Sequence, residues 1–274
     1  MKNNIGVMQG RLLPKFNGLY QAHPKDYWQE EFEIAKNLGL DSIEFILDFN
    51  FATENPLLTQ NGISEIQELS NYHGVQVKTI CADYFMIAPL HSEKKYESLK
   101  SQKILVRLLK NSKKLGVTDI VIPCVDQSSL NSTNAENLFI KSLTEVLPFA
   151  EDYEINLSLE TDLNPKSFIR LLNRFQSERV KVNYDIGNSA SLGFDPVQEL
   201  DSYGHKISDI HIKDRTLNGG PVLLGKGDAN FKAFFDKLKE FNYSGPFIMQ
   251  AYRDEEGVKL FKRQLDWIKP YLMQ

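Results

Sequence analysis

Eight short apolar runs recur along the chain, with helical patterns between them, and this alternation narrows the fold more than any other feature. The runs are Ile5–Met8, Ser42–Ile46, Val75–Cys81, Asp119–Pro123, Ile155–Glu160, Val180–Asp185, Ile207–Ile212 and Pro246–Gln250. β-branched residues dominate most of them, as strands prefer. A weak internal repeat joins them. Lys36-Asn37-Leu38-Gly39-Leu40-Asp41-Ser42-Ile43 is similar to Lys113-Lys114-Leu115-Gly116-Val117-Thr118-Asp119-Ile120, and Tyr72-His73-Gly74-Val75-Gln76-Val77 is a looser copy. Each copy reads as a helix end, a capping glycine in the left-handed conformation, and then a strand. Eight strand–helix units in 274 residues predict an α/β protein of (β/α)8 TIM-barrel type. An open doubly wound sheet is the rival. Its Gly-rich turn is missing after the first strand, where the chain reads Gly6-Val7-Met8-Gln9-Gly10-Arg11. No linker or charge run divides residues 1–274, so a single domain is expected.

The intervening segments carry helical signals. Trp28, Phe32 and Ala35 fall on one face at helical spacing. Asn164-Pro165 reads as the N-cap and first residue of a helix bearing Phe168, Leu171, Leu172 and Phe175. Val258, Phe261, Leu265 and Ile268 form a similar stripe, which Pro270 is expected to stop.

Composition excludes several functional classes. A net charge of −4 gives little counterion release on nucleic acid, so no nucleic-acid partner is expected. No apolar stretch approaches the ~18 residues of a membrane span, and Met1–Ile5 lacks a signal-peptide core. Cys81 and Cys124 form no disulfide framework, so a reducing, cytoplasmic setting is the default.

TIM barrels place their chemistry at the C-terminal ends of the strands. Those ends carry Gln9 and Arg11, Glu44, Asp83 with Tyr84, Asp126 with Gln127, and Glu160 with Asp162. Further on they carry Asp185 with Asn188, then His211, Lys213, Asp214 and Arg215, and finally Gln250 with Arg253. Glu160, Asp185 and His211 close strands five, six and seven, and two carboxylates with an imidazole suit one divalent ion such as Mn2+, Zn2+, Co2+ or Fe2+. The alternative is structural: Glu160 caps a turn, Asp185 bonds the Gly187 backbone, and His211 is a satisfied core histidine. His23, His73, His91 and His205 fall in loops or at helix ends, which rules out a histidine-rich multinuclear zinc site. Gly225-Lys226-Gly227-Asp228 is a turn whose backbone N–H groups could meet an anion, with Lys213, Arg215 and Lys226 adding positive charge.

Together these segments resemble the xylose isomerase-like TIM barrel superfamily, in its sugar-phosphate isomerase/epimerase branch. The resemblance spans nearly the whole chain. It rests on Gly6-Val7-Met8-Gln9-Gly10-Arg11-Leu12, Ser42-Ile43-Glu44-Phe45, Ile80–Met86, Ser158-Leu159-Glu160, Asp185-Ile186-Gly187-Asn188, His211-Ile212-Lys213-Asp214 and Leu224–Asp228. It implies one divalent metal held by Glu160, Asp185, His211 and the last-strand residue. Two glutamates would exchange a proton next to a carbonyl on opposite faces, through an enediolate. Gln9, Arg11, Glu44, Asp83, Asn188, Lys213, Arg215 and Lys226 are the expected substrate contacts, and a small sugar or sugar phosphate is the expected ligand. Self-association is left open.

The chain departs from that pattern at its last strand, where Gln250 stands in place of glutamate. An amide oxygen can bind a metal, but an amide transfers no proton at neutral pH. Three outcomes follow. Asp83, Glu44 or His211 serves as the second acid. Or the reaction needs one base, as in an isomerisation, dehydration or lyase step. Or the barrel binds a sugar-like ligand without turnover. A DNA-repair nuclease of the same superfamily would need more histidine ligands and a more basic face.

Overall fold

The computed structural model describes residues 3–253 and 257–272. Eight parallel strands close into a barrel: β1 Ile5–Met8, β2 Ser42–Ile46, β3 Thr79–Cys81, β4 Asp119–Cys124, β5 Asn156–Thr161, β6 Val180–Asp185, β7 Ile207–Ile212 and β8 Phe247–Met249. Sequence neighbours are barrel neighbours throughout, and β8 returns to β1. This is the (β/α)8 fold expected from the alternation of runs. Four strands match the sequence reading at both ends, and most of the others shift by a residue. The third run is the exception. Its first half makes only an isolated bridge, Gln76 with Ser42, and regular pairing starts at Thr79.

The joints are built as their glycines require. Gly39, Gly74 and Gly116 have φ of +72°, +72° and +71°, a conformation that any β-carbon would strain. Asn164 caps its helix by accepting from the Ser167 N–H, with Pro165 at the first helical position. That helix, Pro165–Leu172, buries Phe168, Leu171 and Leu172, but it ends before Phe175. The last helix, Val258–Leu272, runs through Pro270 instead of stopping there. Proline removes one hydrogen bond in the final turn, and aromatic packing holds that turn in place. Trp267 meets Phe231 at 5.2 Å between ring centroids, and Tyr271 meets Phe235 at 5.4 Å.

By internal packing the chain forms two compact units, Met1–Phe45 with Leu69–Gln76 and Asn183–Gln274, and Ile46–Glu68 with Val77–Val182. In the first, β1 pairs with β2 and β8, and β8 pairs with β7 so that Ile248 registers with His211. Gly6 registers with both Ser42 and Ile248, and a β-carbon on Gly6 would lie 2.5 Å from the Ser42 hydroxyl and 2.7 Å from Ile248. These positions therefore share one face, the side on which Glu44 and His211 also project. The core of this unit stacks Trp28 and Phe32 on Phe45, with ring centroids 5.4 and 6.3 Å apart. In the second unit β4 pairs with β3 and β5. Leu105, Leu108 and Leu109 of the helix Lys95–Leu115 are fully buried, as are Ile120, Ile122, Leu157 and Leu159. Each such side chain contributes roughly 1.5–3 kcal/mol by leaving water. Among the described residues no helix is long and apolar enough to cross a membrane.

Candidate active site

Strand alternation lines up the polar side chains of the first unit. Residues two apart on a strand face the same way, so Asn183 joins Asp185 on β6 and Asp209 joins His211 on β7. All four are at least 95% buried. His211 sits between carboxylates. Its Nε2 lies 2.8 Å from Glu44 Oε1, and its Nδ1 lies 3.9 Å from Asp185 Oδ2. An ionised carboxylate only accepts, so Nε2 is the donor in the pair with Glu44, and Nδ1 is the nitrogen that faces Asp185. That Nδ1 is buried and has no hydrogen-bond partner among the described residues. Ligand atoms of Glu44, Asp209 and His211 also lie within 4.8 Å of one another.

Asp185 divides its oxygens between two tasks. Oδ1 accepts from the Asn188 N–H at 2.8 Å, capping the helix Ile186–Leu192. The cap thus falls on Asn188 and not on Gly187. Oδ2 faces His211 and accepts from Lys213 Nζ at 3.1 Å. Lys213 and Arg215 converge on the Asn188 side-chain oxygen, at 3.2 and 2.8 Å. These three expected substrate contacts do come together, next to Asp185.

Other expected contacts are held by partners within the protein. Arg11 is 1% exposed, and its donors are occupied by the carbonyls of Ala251 and Tyr20 and by Gln21 Oε1. It braces the loop after β1. Gln9 is buried, with its Oε1 2.9 Å from His23 Nδ1. Burial lowers the His23 pKa to about 4, so this ring is neutral at pH 7. Glu44 is fully buried, with its Oε1 on His211 Nε2. Asp214 fills the cradle expected to hold an anion: the N–H groups of Gly225, Gly227 and Ala229 all donate to its carboxylate. Lys226 projects from that turn into solvent.

In the second unit, Glu160 lies near the end of β5, is 6% exposed, and registers with Pro123 on β4. Asp83 precedes the short helix Tyr84–Ile87 and accepts from the Cys81 thiol at 3.2 Å. Cys124 is no nucleophile. Burial pushes its thiol pKa far up, and Asp162 and Glu160 push it further.

Gln250 follows β8 directly and is 4% exposed. Its side-chain N–H donates to Gln21 Oε1 at 3.0 Å, while its own Oε1 is buried without a hydrogen-bond partner among the described residues. The sequence reading missed three contributors. Asp209 and Asn183 were recoverable from the two-residue period, since each sits two positions before an expected ligand. Gln21 lies in an irregular loop and carried no such signal.

A buried imidazole with one free nitrogen opposite a carboxylate, and a buried amide oxygen without a donor, fit a small divalent cation. Parallel barrels with carboxylate and imidazole groups at the strand ends define a class of enzyme-like (β/α)8 proteins. Within that class, the xylose isomerase-like TIM barrel family matches residues 32–271, and the chain belongs to this family. A curated relative, an L-ribulose-5-phosphate 3-epimerase (UlaE) of Escherichia coli, is 26% identical, covering 92% of this chain and 93% of its own. Among solved structures, the 3-keto-D-glucoside 4-epimerase YcjR from E. coli superposes with a TM-score of 0.76 at 18% identity, over 98% of this chain and 100% of that one. A D-psicose 3-epimerase superposes with a TM-score of 0.77 at 16% identity, over 100% of both chains.

Proposed function

We propose that the protein is a metal-dependent epimerase or isomerase of a small sugar or sugar phosphate. The observation that carries this reading is His211, held by Glu44 so that a bare Nδ1 faces Asp185 inside the barrel. Glu160, Asp185 and His211 lie at, or one residue before, the ends of three consecutive barrel strands, and with Gln250 they are the residues that would hold one divalent ion. Such an ion supplies Lewis acidity to the carbonyl and hydroxyl oxygens of a sugar. The relatives add support, since each is named for epimerising a sugar, a sugar phosphate or a ketoglucoside.

The chain's own residues divide the remaining work. Glu160 is the base that removes the proton next to the carbonyl. Lys213 and Arg215 orient an oxygen-rich, anionic end of the ligand, because their cations already converge beside Asp185. Gln250 binds and orients but transfers no proton. Return of the proton therefore falls to Glu160 itself or to another group. A barrel that binds sugar without turnover is the second reading, and Gln250 is what favours it.

Exchange of a substrate C–H with solvent deuterium decides between them. A panel of ketopentoses, ketohexoses and their phosphates, incubated with Mn2+-loaded protein in D2O, is followed by proton NMR. The proposal expects exchange on at least one sugar, and a fall of about 10²–10⁴-fold in Glu160→Gln. Binding of a sugar with no exchange anywhere in the panel establishes the second reading instead.

A further inference from the structure

We infer that Arg11 and Gln21 are positioning residues that turn the Gln250 side-chain oxygen inward as a neutral metal ligand. The inference rests on the metal site proposed above. A guanidinium only donates, so the Gln21 atom 2.9 Å from Arg11 Nη2 must be its oxygen. That same oxygen lies 3.0 Å from the Gln250 amide. An acceptor must meet a donor, so the Gln250 NH2 points at Gln21 and its oxygen points away. The oxygen so released is buried and has no hydrogen-bond partner among the described residues.

The relay begins at a fixed point. Arg11 is anchored by the Ala251 and Tyr20 carbonyls, and its guanidinium lies 5.0 Å from the Tyr20 ring centroid. Ala251 is the residue after Gln250, so one side chain holds both the backbone next to the ligand and the partner of its amide. A glutamate at position 250 does not suit this arrangement. Its carboxylate would face the Gln21 oxygen, acceptor against acceptor. Turning the Gln21 amide over would instead set its NH2 against Arg11. The loop after β1 is therefore matched to an amide at 250.

A double-mutant cycle read by Mn2+ affinity, with no turnover needed, tests this. Gln21→Met removes the acceptor. With Gln250 present it is expected to weaken Mn2+ binding about tenfold, the low end of the cost of losing a residue that orients a ligand. With Gln250→Glu present, the same Gln21→Met removes a repulsion, so Mn2+ binding tightens. Gln21→Glu keeps an acceptor for both partners and binds Mn2+ no more weakly than the wild type. Effects of the same sign in both backgrounds overturn the inference, as does Gln21→Glu behaving like Gln21→Met. Wild-type protein that takes up no Mn2+ overturns the metal site itself, a distinct failure that removes the inference with it. Circular dichroism checks that each variant folds. If Gln21→Met does not, the wild type still answers through its Gln250 side-chain amide protons, assigned by their loss in Gln250→Glu. Slow exchange with water supports the hydrogen bond to Gln21, and exchange at the rate of a free amide refutes it.

Discussion

Glu31 is fully buried and carries a pH dependence of its own. Its two oxygens accept the N–H groups of Gly10, at 2.8 Å, and Leu12, at 3.0 Å, which pins the loop after β1. Burial raises its pKa from 4.5 to about 7, against the lowering pull of those two bonds and of Arg11 and Arg253. A raised carboxyl pKa means that the native state holds the proton more tightly than the unfolded chain. The contribution to stability is therefore fully present below pH 4.5 and is lost as pH rises through 7. The loss is on the order of 3 kcal/mol. Urea unfolding of wild type and Glu31→Gln between pH 4.5 and 7 measures it. The wild type should lose stability relative to the variant across that window. Parallel pH profiles would show that Glu31 titrates normally. In absolute terms the variant also leaves one backbone N–H facing an amide NH2, which costs about 1–3 kcal/mol.

Single elements show how far the sequence can be read. β6 and β7 were legible to the residue because β-branched residues recur two apart in each, with Asp185 closing β6 and His211 one residue before the end of β7, and that alternation survives folding. The helix Pro165–Leu172 was legible at its start, where Asn164 and Pro165 are local signals. Its end at Leu172, short of Phe175, was not, because no glycine or proline marks it. Pro270 misled for the opposite reason: a strong local breaker was outweighed by Trp267 and Tyr271 packing on Phe231 and Phe235. Glu160, Asp185, His211 and Gln250 could be singled out from strand ends and family resemblance. The role of Arg11 was not, since nothing local shows that a charged side chain will be spent on the Ala251 and Tyr20 carbonyls. Packing of the helix Glu30–Asn37 on β2 depends on Phe32, which is fully buried against Phe45. Phe32→Ala should cost about 3–5 kcal/mol of unfolding free energy, seen as a shift of the chemical-denaturation midpoint. A cost under about 1 kcal/mol would mean that this helix contributes little to the barrel.

At the scale of the whole molecule, a closed barrel brings residues spread over the chain to a single ring of strand ends. The Glu44–His211 pair, 167 positions apart in sequence, is one product of that closure. The account depends on what this pair is for. Glu44 orders the imidazole, and the free nitrogen meets Asp185, whose Oδ2 Lys213 already neutralises. A dication at this position would share that carboxylate oxygen with Lys213. Diffraction at the manganese edge, from crystals grown with Mn2+, tests this most directly. The account predicts one anomalous peak about 2 Å from both His211 Nδ1 and Asp185 Oδ2. Crystals with no peak there, and with Lys213 still bonded to Asp185, would contradict it.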